Sequence, residues 1–194
     1  MKSALIRFFL IILVSILSGY LVYLGLQKKQ SIHLNFNILK ATAKVVENKD
    51  ITSVLQNLTA PSLGIYGVSL LTDGIEADVN AWHAPQKPQY PVAIDVTFKK
   101  NVLIRQIGIQ SQYGGPGNLA RAPKMVKVYG GADASHLEEL GVLTFEFQAA
   151  GVWTLRDILA KAKNKYLYYR LEILSNQGSP DFLTIQELKF YGEA

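Results

Sequence analysis

Residues 166–191 read YLYYRLEILSNQGSPDFLTIQELKFY, two apolar, aromatic-rich runs on either side of a polar turn. In the first run Leu167, Tyr169, Leu171 and Ile173 share one face of an extended strand, with Tyr168, Arg170 and Glu172 on the other, because side chains alternate across a strand. Residues 175–181 carry Asn, Gly and Pro, which supply the backbone angles of a loop. The spacing predicts a β-hairpin with a long turn. In the second run Ile185 cannot share a face with Leu188 and Phe190, so a bulge is expected near Gln186 and Glu187. Such a bulge would aim the Glu187 carboxylate at a neighbouring element.

Outward from this stretch, the chain has 194 residues, a net charge of +5, a pI near 9.3 and no cysteine. That length suits one domain of about 150 residues, large enough to bury a core, together with an additional segment. The additional segment comes first. Residues 8–26 contain no charged side chain, close to the roughly 20 apolar positions a helix needs to cross a bilayer. A cleaved secretory signal has a shorter apolar region and ends at a small-x-small site. The nearest such tripeptide, Ala41-Thr42-Ala43, lies too far downstream. The expectation is an uncleaved anchor over residues 1–29, with Tyr20 and Tyr23 near its outer interface. Lys2 and Arg7 before the run nearly balance Lys28 and Lys29 after it. The short basic tail favours an inside N-terminus and a domain outside the cytoplasm. Basic residues do not cluster with interleaved aromatics, which argues against a nucleic-acid partner.

Residues 30–58 form the connection. Residues 32–38, IHLNFNI, alternate as a half-buried strand, with His33 on the polar face. Asp50 is placed to cap a short helix carrying Ile51, Val54, Leu55 and Leu58 at helical spacing. Across residues 59–194 the signals are mostly strands: VAIDVTF, VLIRQIGI, KMVKVYG, LTFEFQ and the final pair of runs. Turn clusters such as GGPGN at 114–118 separate several of them. Residues 157–163 have room for one or two helical turns. The fold class is all-β, an antiparallel β-sandwich behind a membrane helix.

With the strands in order, a resemblance emerges. SLLTDGIEADVNAW at 69–82, IDVTF at 94–98, RAPKMVKVYGG from Arg121, the lone Trp153, and YRLEI followed by IQELKFYG make the chain similar to discoidin, or coagulation factor 5/8 type C, domains of the galactose-binding-like jelly-roll superfamily. The resemblance implies two packed antiparallel sheets, ligand loops at one end and a structural calcium. The cysteine pair of many animal members is absent, which makes the chain similar to the microbial branch, including carbohydrate-binding modules. A binding role drawn from it is an analogy of fold.

The strongest chemical cluster is acidic: Asp73, Glu76 and Asp78, with Asn80 close behind. Calcium takes six to eight oxygens in flexible geometry, which such a loop helps to supply. The resemblance implies a metal set of Asp73, Asp78 and Glu187. The alternative is a tight bend at Asp73-Gly74.

Catalytic signals are lacking. His33, His83 and His136 are scattered, with no HExxH pair and no Gly-x-Ser-x-Gly elbow. The glycine-rich stretch at 114–117 lacks the lysine and hydroxyl of a phosphate loop. The chain is read as a non-enzyme. Trp82 is expected in the core. Ligand contacts are expected from three loops, 83–90, 111–121 and 175–181, through His83, Tyr113, Asn118, Arg121, Asn176 and Asp181. Two partners remain open, a glycan at the cell envelope and another envelope protein. A glycan calls for a concave polar cleft with one exposed aromatic, and a docking face for a broader apolar patch.

Overall fold

The computed structural model describes residues 48–76, 80–158 and 164–194. The expected anchor, the expected strand at 32–38 and Asp78 lie outside the described residues. Contacts divide the chain into Met1–Val46 and Glu47–Ala194, and the fold described here is that of the second unit. Among the described residues no helix is long and apolar enough to cross a membrane.

Ten strands follow one another: β1 (Lys49–Asp50), β2 (Leu55–Thr59), β3 (Trp82–His83), β4 (Val92–Gln110), β5 (Pro123–Gly131), β6 (Leu137–Thr144), β7 (Trp153–Asp157), β8 (Tyr166–Asn176), β9 (Thr184–Ile185) and β10 (Glu187–Glu193). Among the described residues one α-helical turn, α1 (Pro116–Leu119), and two 3-10 turns, Thr52–Val54 and Val68–Leu71, interrupt them. All the strand pairings are antiparallel.

The 19-residue β4 organises the rest. Its first half pairs with β2 and β8, from Val92 opposite Ile173 to Thr97 opposite Tyr168. Its second half pairs with β10 and β7. Between them the register jumps, and Lys99, Lys100 and Asn101 are exposed. The chain turns over there and enters the opposite layer. One layer therefore runs β2, β4, β8, β5, β6, and the other β1, β10, β4, β7. VAIDVTF and VLIRQIGI, expected as separate strands, are the two halves of this arch.

Alternation decides which face is buried. Ile94, Val96 and Phe98 from one half, and Ile107 and Ile109 from the other, point inward with Tyr169, Leu171, Ile173, Leu188 and Phe190. Phe98 meets Phe190 and Tyr169 edge-on, with centroids 5.6 and 5.8 Å apart, so one ring joins both layers. Edge-to-face pairs of this kind add about 0.5 to 1.5 kcal/mol beyond area burial.

Four local expectations change. The two runs at 166–191 do not form a hairpin: β8 lies between β4 and β5, whereas β10 lies between β1 and β4. Each run buries its apolar face against the opposite layer, and the long connection crosses the end of the sandwich to place them there. The slip near Gln186 is real, but it marks a transfer from pairing with β3 to pairing with β4, and Thr184, Ile185, Gln186, Glu187 and Leu188 are all buried. The helix expected from Ile51 to Leu58 is a single 3-10 turn, Thr52–Val54, followed by β2. Asp50 accepts the Thr52 N–H at 2.8 Å, while pairing with β4 satisfies the later backbone and overrides helical spacing. LTFEFQ is only partly a strand, since β6 ends at Thr144 and Phe145 and Phe147 continue inward as a stacked pair.

The arch is fastened by one hydroxyl. Tyr169 is fully buried, donates to the Val102 carbonyl at 2.7 Å and accepts the Ile104 N–H at 3.3 Å. Burial pushes its pKa up to about 12. Tyr169→Phe leaves both backbone groups buried without this partner and should destabilise the domain by about 1 to 3 kcal/mol in chemical denaturation, with the folded spectrum unchanged. Unchanged stability would show that the arch does not depend on this contact.

Candidate functional site

Because β4 returns to the end at which it starts, the loops preceding Val92 and following Gln110 meet. Gln112 Nε2 lies 3.4 Å from His83 Nε2. The Ala84 and Lys87 N–H groups donate to the carbonyls of Leu183 and Asp181, at 3.0 and 2.9 Å. Those of Thr184, Gln177 and Ser179 donate to Arg121, Ala122 and Ala120, at 3.0, 2.9 and 3.0 Å. The three loops expected to carry ligand contacts thus form one hydrogen-bonded end.

Their polar residues do different jobs. His83 is buried and stacks on Tyr66 with centroids 4.3 Å apart. Burial, and then the charge of Arg121, lower its pKa, which keeps the imidazole neutral in the wall of the site. Asn118 donates to the Tyr113 carbonyl at 2.9 Å. Asn176 donates to Ser179 and Phe182 carbonyls at 2.6 and 2.8 Å and accepts the Gly178 N–H. The Asn176 amide is occupied in shaping its own loop, and the Asn118 amide gives one hydrogen bond to its own loop. Tyr113 is 49% exposed, and Asp181 is half-buried. The Arg121 guanidinium lies 4.7 Å over the Phe182 ring. Trp82 is fully buried and donates to Ser62 Oγ at 3.0 Å, a core residue.

The same end carries a groove of about 400 Å³ lined by Pro61, Pro85, Pro88, Pro91 and neighbouring residues. Tyr90 and Ile65 are also exposed at this end, Ile65 at 86%. The groove was not foreseen, although prolines at every third position from 85 to 91 were visible in the sequence.

The acidic loop packs on the outer face beside this end. Glu187 accepts the Gly74 N–H at 3.0 Å, and Asp73 accepts the Ile75 N–H at 2.9 Å. Gln186 donates to the carbonyls of Ile75 and Asn80, at 3.0 and 2.7 Å, and accepts the Tyr113 N–H at 3.2 Å. Gln110 donates to those of Glu76 and Gly151, at 3.1 and 2.9 Å. Lys189 pairs with Glu76 at 2.6 Å and lies over the Trp153 ring. Sequence reading missed Gln110 and Gln186. Only the phase slip at residue 186 signalled that a polar side chain there was buried.

Asp73 and Glu187 are brought together. Burial, then the hydrogen bond and charge of Asp73, raise the Glu187 pKa to about 7, against opposing hydrogen bonds from the Gly74 and Ile75 N–H groups. A raised carboxyl beside a second carboxylate suits acid–base chemistry, but Glu187 is 1% exposed beneath its loop and out of reach of a substrate. Among the described residues no three His, Cys, Asp or Glu side chains group as metal ligands.

Residues 79–194 match the family model for the Sad1/UNC-like C-terminal region. No curated protein matches the chain. The solved F5/8 type C domain of a Bacteroides fragilis protein is 12% identical with a TM-score of 0.59, over 76% of this chain and 98% of that one. The family 32 carbohydrate-binding module of Clostridium perfringens NanJ, solved with galactose, is 16% identical with a TM-score of 0.57, over 74% and 98%. A third module, CBM32-3 of a family 31 glycoside hydrolase from the same organism, is 17% identical with a TM-score of 0.59, over 75% and 95%. The sandwich is of this discoidin-like, galactose-binding-like type.

Glu187 gives stability a pH dependence. Its pKa in the folded protein lies above the ordinary 4.5, so its contribution is complete below that value and is lost as pH rises through about 7. Between about pH 5 and 8.5 the wild type should lose about 1 to 3 kcal/mol relative to Glu187→Gln in denaturant titrations. Parallel curves would mean that Glu187 is not the titrating group.

Proposed function

The chain belongs to the Sad1/UNC-like C-terminal family, and from that premise we propose that it is a non-catalytic binding module whose ligand, a glycan of the cell envelope, is held at the loop end. The observation that carries the reading is the convergence of the three loops around Arg121, Phe182 and an exposed Tyr113. An aromatic face with a few fixed polar groups suits a sugar ring and its hydroxyls. The galactose seen with the NanJ module supports the same ligand class. A glycan array probed with residues 31–194 should give binders, and Tyr113→Ala should weaken them about tenfold, on the order of 1.4 kcal/mol. An array without binders sinks the glycan reading.

Docking on another envelope protein is the second reading, favoured by the exposed Ile65 and Tyr90 and the proline-lined groove. Ile65→Asp would abolish such docking and leave glycan binding intact.

Two further parts of the proposal concern the setting. Residues 8–26 serve as a retained anchor that holds the domain outside the cytoplasm, so protease added to intact cells should digest it, and full protection would refute this. Calcium binds at Asp73 and Glu187 with help from Asp78, because the repulsion between the exposed Asp73 and the buried Glu187 carboxylates is relieved by a cation. Millimolar calcium should then restore at about pH 8 the stability that ionised Glu187 loses. No response would leave the loop an ordinary turn.

A further inference from the structure

Each described arginine but one has an acceptor. Arg105 meets Glu193 at 2.6 Å, Arg170 meets Asp95 at 2.6 Å, and Arg156 donates to the carbonyls of Thr144 and Leu155. The Arg121 guanidinium makes no ion pair or hydrogen bond with any described residue, and it lies over the ring of Phe182. Its backbone is nonetheless held in place. The main-chain N–H of Arg121 donates to the Asn118 carbonyl at 3.2 Å, and its main-chain carbonyl accepts the Thr184 N–H at 3.0 Å. The ring packs against the guanidinium, and the half-buried position removes part of the water that would otherwise satisfy it.

A planar fork of donors, pre-oriented and short of an acceptor, matches a carboxylate bidentately. The neighbouring His83 is buried and offers no negative charge. Asp181 is the carboxylate nearest in sequence to Phe182, and it forms no ion pair with Arg121 among the described residues. On the other side of Asn118, the exposed Tyr113 is tied to the same loop by the Asn118 amide.

Resting on the glycan reading above, we propose that the loop end selects an acidic sugar, with a uronic acid carboxylate in the Arg121 fork and the sugar ring against Tyr113. The fork explains why a half-buried arginine stands at the ligand end without an acceptor of its own. It also predicts selectivity, since a neutral sugar leaves the guanidinium as short of a partner as before binding.

D-galacturonate and D-galactose share ring stereochemistry and differ at C6, where one bears a carboxylate and the other a hydroxymethyl group. Both are titrated by calorimetry into the full chain in detergent, with acetate as a control for charge alone. Galacturonate should bind about tenfold or more tightly than galactose, with an affinity that falls as salt is raised. Arg121→Ala should bring the two sugars to equal affinity, and Arg121→Lys, which keeps the charge and loses the fork, should retain part of the difference. Melting curves establish that both variants fold. Equal affinity in the wild type overturns the acidic-sugar proposal and leaves the glycan reading standing. Acetate binding as well as galacturonate does overturns it in favour of a bare anion site. A preference that survives in Arg121→Ala overturns the assignment to that residue. Binding of neither sugar overturns the acidic-sugar proposal, and the array alone decides the glycan reading.

Discussion

β4 gives half its length to each layer, so neither sheet can close without the turn at residues 98–102. The strands of the two layers are ordered relative to one half or the other, β3 and β9 pair with each other apart from them, and the Phe98 ring and the Tyr169 hydroxyl hold the two halves face to face. The arch also decides where ligand chemistry can gather. A strand that goes out and comes back delivers both of its flanking loops to one end, and the loop between β8 and β9 joins them by backbone hydrogen bonds. Such a site is assembled from segments far apart in the chain but close across the layers.

That geometry separates what was readable in the residues from what was not. Alternation in residues 166–173 marked a half-buried strand, and Tyr169, Leu171 and Ile173 are buried as their spacing requires. Alternation cannot say which layer a strand joins. Two consecutive strands look alike whether they pair with each other or face each other across a core, so the hairpin expectation failed while both strands existed. At Ile51, Val54, Leu55 and Leu58 a short apolar pattern fitted a helix, but the unsatisfied edge of β4 was the stronger influence.

The candidate site shows a second kind of illegibility. The amides of Asn118 and Asn176 have the right chemistry for sugar hydroxyls, yet Asn176 turns its amide to the backbone of its own loop and Asn118 gives one hydrogen bond to the Tyr113 carbonyl. Gln186, which no motif singled out, links the Tyr113 loop to the acidic loop through three hydrogen bonds. Whether a polar side chain is available for a ligand depends on what else it touches. A composition of turn residues does not carry that information. The convergence of Asp73 and Glu187, by contrast, followed from the resemblance and from the phase slip.

The pairing of Lys49 with Gly192 places the first and last described strands of the sandwich side by side, at the end away from the three converging loops. A module whose two connections leave together from its back can be inserted within a loop of another protein, repeated in tandem or circularly permuted without covering its front. Portability of this kind is a property of strand order alone. It lets one scaffold present different loops in different host chains while the junction stays the same.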